Sequence, residues 1–194
     1  MPDTHDARGM LEAALDTMTA QVDATPAEAW TRPSPCEGWD GQALLDHVTG
    51  TLQGISAMIS GGDYRAGRNR RPAEDGASAQ DAIDRWHGLA EEVRRQAETM
   101  DAQEPMTGPR GEEPAWSALK VPTHDLTVHA WDLAATAGRE LELPDDLLAD
   151  LTDLVKNTPP DFLRSPGVFG PEVEAPHGAG PTDRLMAFLG RRHP

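Results

Sequence analysis

Cysteine is almost absent from this sequence: Cys36 stands alone among 194 residues. A single thiol excludes an internal disulfide and fits a reducing compartment. Positive charge is scarce as well, with 17 Lys plus Arg against 33 Asp plus Glu and a formal net charge of −16. Such a surface repels phosphate backbones over most of its area, so nucleic-acid binding is not expected. No hydrophobic run approaches membrane-spanning length, and the first residues, MPDTHDARGM, lack the basic and apolar blocks of a signal peptide. A cytoplasmic protein without a membrane partner is the expectation. Internal repeats of roughly 20–50 residues are missing, which excludes a solenoid, and few runs alternate with period two, which argues against extensive sheet.

What is present is helical periodicity, in a chain long enough for one domain with an adequate core. From Thr4 to about Ala24, Leu11, Ala14, Leu15, Met18 and Val22 recur at helical intervals. Thr25-Pro26 stops this helix, and TRPSPCEGW, Thr31 to Trp39, reads as a structured loop. Asp40 predicts the N-cap of a second helix running to about Ser60, with Trp39 as a hydrophobic staple on Leu44. Tyr64 to Arg71 carries Arg65, Arg68, Arg70 and Arg71 among glycines; a mobile solvated connection is expected there rather than an anion-binding lid. Ser78 to Met100 is the clearest helix, with Ile83, Trp86, Ala90, Val93, Ala97 and Met100 on one seam.

Asp101 to Pro114 reads as a polar loop with at most a short extended piece, and Trp116 to Val121 as a helical turn or a strand. Pro122 is expected to open the fourth helix, which ends with Gly138 at C′. Pro144 and Asp145 start a fifth that buries Leu147, Leu148, Leu151, Leu154 and Val155. A Pro- and Gly-rich tail follows from Thr158, pinned by Phe162, Val168 and Phe169, before a short helix over Thr182 to Gly190. The expected fold class is all-α with a four-helix core: residues 1–157 form the bundle, and 158–194 a tail and short helix packed on the same domain.

The densest chemistry lies in HDLTVHAWDLAATAG, His124 to Gly138. Asp125 and His129, an i, i+4 pair, differ by about 40° around the axis and roughly 6 Å along it, so both can address one point. Asp132 falls near the azimuth of Asp125. Leu126, His129, Leu133 and Ala137 follow the spacing of a packed face, which turns the stripe inward. His47, beside the apolar stripe of the second helix, is the best third ligand. Imidazole and carboxylate suit zinc, and also ferrous iron, nickel or manganese; zinc is the expected ion.

Asp132 reads as a hydrogen-bond partner for a ligand imidazole or as an acceptor for an N–H of the PCEGW loop. His124, about 140° from His129 on the wheel, is not expected to share the ion and reads as a surface or substrate-facing group. Cys36 has no evident base and reads as packing. Trp39, Trp86 and Trp131 read as core or staple residues, and His87 and His177 have no argued partner.

The Pro35-Cys36-Glu37-Gly38-Trp39 turn opening a helix with a central His47, the segment HDLTVHAWDLA, and the tail FGPEVEAP…TDRLMAFLGRR together resemble the DinB/YfiT-like superfamily. Within it they are most similar to the actinobacterial branch related to the N-terminal domain of mycothiol-dependent maleylpyruvate isomerase. The resemblance implies a four-helix bundle with an unusual connection between its helices and a divalent metal at one end. The ligand triad it implies maps onto His47, Asp125 and His129, with Asp125 one methylene shorter than the glutamate usual at that position. It also implies low-molecular-weight thiols, mycothiol or bacillithiol, as cosubstrates. The chain is too short for the full second domain of the isomerase, so that reaction is not expected.

The functional expectation is a divalent-metal-dependent, mycothiol-type thiol transferase acting on a small electrophile. A non-catalytic metal or small-ligand binding module and a metal-dependent hydrolase are the alternatives. Pairing into a homodimer through an exposed helix face is left open.

Overall fold

The computed structural model describes residues 4–68, 78–165 and 167–194. Helix α1 (Thr4–Ala24) is held by its apolar seam: Leu11, Ala14, Leu15, Met18 and Val22 are at most 1 % exposed. A 3-10 turn at Ala27–Ala29 and the loop to Trp39 lead into α2 (Gly41–Ile59). Asp40 starts α2 by accepting the Ala43 N–H at 2.8 Å, and Gly61, at φ 80°, ends it. The short α3 (Tyr64–Arg68) follows at once. Helix α4 (Ala79–Ala97) opens on a reciprocal capping box between Ser78 and Asp81 and buries Ala82, Trp86, Ala90, Val93 and Ala97. Trp86 Nε1 donates to Thr19 at 3.1 Å, tying α4 to α1.

Beyond a hairpin of β1 (Pro105–Gly108) and β2 (Gly111–Pro114) come α5 (Ala115–Ala118) and α6 (Lys120–Thr136). Gly138, at φ 71°, closes the end of α6, where Gly138 N–H bonds Ala135 O and Arg139 N–H bonds Ala134 O. Helices α7 (Asp145–Asn157), α8 (Pro160–Leu163) and α9 (Pro181–Phe188) complete the chain. The four long helices close a ring in which α1 and α2 each pack on both α4 and α6. Consecutive helices α1 and α2 therefore stand at opposite corners, the unusual connection the sequence led us to expect.

Helix α6 is clothed on two sides. Leu126, Ala130 and Leu133 face the main core, while Val128, Trp131 and Ala135 join Leu143, Leu151, Val155, Leu163, Met186 and Leu189 in a second cluster. A side chain on α6 is thus shielded from water even when it points away from the bundle axis.

Several expectations are corrected. Residues 105–114 form a paired antiparallel hairpin, with Met106, 5 % exposed, anchoring it to the core. The fourth bundle helix begins at Lys120, and Pro122 sits in its first turn, where its missing N–H leaves no helical bond unmade. Tyr64–Arg68 is a helix seated on α2 rather than a solvated connection; Arg70 and Arg71 lie outside the described residues. In the tail, Phe162 is 62 % exposed and Val168 36 %, so neither pins it; the buried neighbour Leu163 does so, with Phe169 partly buried against the same cluster. Among the described residues no helix is long and apolar enough to cross a membrane.

Candidate metal centre

His47 projects from the middle of α2, and Asp125 and His129 from successive turns of α6, where the two helices pack together. One ligand atom from each of the three lies within 4.8 Å of the others. Asp125 Oδ1 is 3.4 Å from His47 Nε2 and 3.5 Å from His129 Nε2, and Oδ2 is 3.3 Å from His47 Nε2. Charge-assisted hydrogen bonds between such groups close to about 2.7–2.9 Å. Two other histidine–carboxylate pairs in this protein do close that far: His129 Nδ1 to Asp132 Oδ2 at 2.8 Å, and His124 Nε2 to Asp150 Oδ2 at 2.7 Å.

The wider spacing of the triad matches ligands of one tetrahedral ion, whose bonds of about 2.0–2.1 Å set ligand atoms about 3.3 Å apart. The donor set, two imidazole nitrogens and one carboxylate oxygen, fits a divalent ion.

Behind the triad, Asp132 is fully buried and accepts from three directions: His129 Nδ1–H, Arg191 Nε at 3.1 and 3.2 Å, and the Cys36 thiol at 3.3 Å. The bond to Nδ1 fixes the orientation of the His129 ring and turns its Nε2 edge toward Asp125 and His47. Burial pushes the Asp132 carboxyl up, but hydrogen bonding from His129 and the charge of Arg191 outweigh it and hold it below its usual range. Burial likewise pushes Asp125 up, and His129 and then His47 more than offset it, leaving the carboxyl well below its usual range. For His129 burial pushes down, while Asp125 and Asp132 raise the imidazole well above its ordinary value.

The walls come from two loops. Gly38, at φ 79°, lets the PCEGW turn double back, with Trp39 N–H bonding Cys36 O at 3.0 Å. That turn sets Trp39 beside the ligands: its ring centroid is 4.6 Å from that of His47 and 6.0 Å from that of His129. It also sets Cys36 against Asp132. On the other side α3 lies on a glycine face of α2. A Cβ at Gly54 would fall 2.7 Å from the Tyr64 ring, and one at Gly50 3.4 Å from Arg68 O. This seat brings Arg68 Nη2 to 3.0 Å from His47 Nε2, and Thr51 Oγ1, on α2, donates to Asp125 Oδ2 at 2.6 Å.

The family model for the mycothiol maleylpyruvate isomerase N-terminal domain matches residues 11–134. The chain belongs to this family. Two uncharacterized proteins of Mycobacterium tuberculosis, MT0763 of strain CDC 1551 / Oshkosh and Rv0738 of strain ATCC 25618 / H37Rv, are each 30 % identical over 182 residues. The match covers 93 % of this chain and 94 % of theirs. The fold also matches the crystal structure of mycothiol-dependent maleylpyruvate isomerase, with TM-score 0.62, 12 % identity, and 79 % of this chain and 69 % of that chain covered. A mutant of that enzyme matches equally, with TM-score 0.62 and 11 % identity. As in the family, the helices form an all-α bundle.

The structure brings together His47, Asp125 and His129, and sets Asp132 on the back of His129. His124 is not a surface group. It is 5 % exposed and bonded to Asp150 of α7, away from the triad. Cys36 is more than packing, since its thiol donates to the Asp132 carboxylate at 3.3 Å. Thr51, Tyr64, Arg68 and Arg191 were not anticipated. A signal existed for the first three: Gly50 and Gly54, one turn apart inside a helix, mark a close approach by another segment. For Arg191 the sequence offered none, because its partner lies 59 positions away.

Proposed function

We propose that this protein is a divalent-metal-dependent enzyme that joins a low-molecular-weight thiol of the mycothiol type to a small electrophile. His47, Asp125 and His129 hold the ion, zinc in the first instance. The observation that carries the reading is the contrast in spacing: the triad stays 3.3–3.5 Å apart while the neighbouring histidine–carboxylate pairs close to 2.7–2.8 Å. Family membership supports the thiol, and the free Cys36 fits a reducing cytoplasm.

An ion in this triad supplies Lewis acidity that stabilises a thiolate at neutral pH. The chain's own residues do the rest. Asp132 retains the proton on His129 Nδ1 and so keeps Nε2 a ligand. Trp39 forms an aromatic wall that limits water on one side. Arg68, beside His47, is a cation in position to orient an anionic group on the thiol or the electrophile. The tail from residue 158 onward belongs to the same working unit, since Arg191 at its end holds Asp132.

The test uses protein purified without a histidine tag. Elemental analysis should find one divalent ion per chain, and incubation with mycothiol and a panel of electrophiles should give thioether products by mass spectrometry that chelation suppresses. Retained metal with no panel member consumed would favour a binding module, and product formation indifferent to chelation would reject the metal reading.

A further inference from the structure

We infer that Thr51 is a positioning residue that engages one oxygen of Asp125, leaving this carboxylate a single oxygen with which to hold an ion. The inference rests on the metal reading above and concerns how many positions that site leaves open.

Thr51 stands one turn beyond His47 on α2 and is fully buried. Its Oγ1 donates to Asp125 Oδ2 at 2.6 Å, the short distance of a hydroxyl bound to a carboxylate. A threonine hydroxyl has one proton, and here it is committed to Asp125. The ring of Tyr64, on α3, packs against the same stretch of α2. Tyr64 is itself 3 % exposed, and the glycine face of α2 fixes its ring. The result is a buried hydroxyl fixed on Asp125 Oδ2.

Oδ2 also lies 3.3 Å from His47 Nε2, but it is Oδ1 that faces both histidines. It is nearly equidistant from the two ligand imidazoles, at 3.4 Å from His47 Nε2 and 3.5 Å from His129 Nε2. To bind through both oxygens, Asp125 would have to share Oδ2 between the ion and the Thr51 hydroxyl, which draws electron density from that oxygen and weakens it as a ligand. With Thr51 in place the chain supplies three donor atoms, one fewer than a tetrahedral ion takes, and a position remains for substrate.

The test loads the wild type, Thr51→Val and Thr51→Ser with Co²⁺ and reads three quantities: cobalt per chain, the visible absorption of the ion, and the affinity of the loaded protein for azide. Thr51→Val should keep its cobalt, show weaker visible bands as a second oxygen enters the coordination sphere, and bind azide about 10-fold more weakly. Thr51→Ser, which retains the hydroxyl, should match the wild type. A Thr51→Val protein with full cobalt, unchanged bands and unchanged azide affinity overturns the role of Thr51 and leaves the metal reading intact. A wild type that takes up no cobalt overturns both. Should Thr51→Val not fold, a zinc-loaded wild-type crystal structure decides: Asp125 bound through Oδ1 alone with Thr51 on Oδ2 supports the inference, and a two-oxygen Asp125 defeats it.

Discussion

Arg191 Nε, near the end of the chain, donates to both oxygens of Asp132 in the middle of α6, at 3.1 and 3.2 Å. The tail is thereby wired to the residue that orients His129. Because Asp132 is fully buried and Arg191 13 % exposed, removing either partner leaves a charge with little water. Arg191→Met should cost about 3 kcal/mol or more in chemical denaturation, and it should loosen metal binding about 10-fold or more through His129. Combining it with Asp132→Asn should recover part of the lost stability, which a double-mutant cycle measures. Additive losses would show that the pair is not coupled.

His129→Ala should abolish metal retention while leaving the bundle folded. The imidazole is shared between Asp125 and Asp132 and is not itself a major part of the apolar core. Elemental analysis with circular dichroism checks both halves. An unchanged metal-to-protein ratio would refute the ligand assignment.

Gly54→Ala sets two effects of opposite sign against each other. Alanine gains about 1 kcal/mol in helix propensity. The new Cβ, however, would lie 2.7 Å from the Tyr64 ring and 3.0 Å from Tyr64 O, so α3 must move off α2, an overpacking cost of about 1–3 kcal/mol. The backbone clash cannot be relieved by a side-chain rotation. We expect net destabilisation and a displaced Arg68; a rise in melting temperature would mean that the glycine face is not a tight seat.

A pH dependence follows from Asp150. Its hydrogen bond from His124 outweighs partial burial and depresses its folded pKa. A depressed carboxyl contributes stability that is present above its unfolded value of about 3.9, and that stability is lost as pH falls through the folded pKa. The melting temperature of Asp150→Asn should lie below that of the wild type near neutrality, and the two should converge as the solution is acidified through that range. A gap that persists at the acid end would show that the carboxylate charge is not what His124 uses.

The architecture was largely legible because helices announce themselves locally. The seam Leu11, Ala14, Leu15, Met18, Val22, the Asp40 cap and the Ser78 start all depend on residues within a few positions of one another. From the sequence the hairpin at 105–114 shows only as a polar loop with at most a short extended piece, because its strands are four residues each and carry too few alternations to show a period. Phe162 was misplaced on hydrophobicity alone; in a one-turn helix the position on the turn decides which neighbour is buried, and it was Leu163.

By itself the sequence determined that Asp125 and His129 share a face, since a helix converts spacing into direction. It also put His47 on a second inward helix. Only the tertiary structure decided that the two faces meet at 3.3–3.5 Å, that Arg191 and Cys36 converge on Asp132, that Thr51 reaches Asp125, and that α3 delivers His47 a guanidinium. Those contacts join segments far apart in the chain. They depend on how helices that are not consecutive pack around one core, which no local pattern encodes.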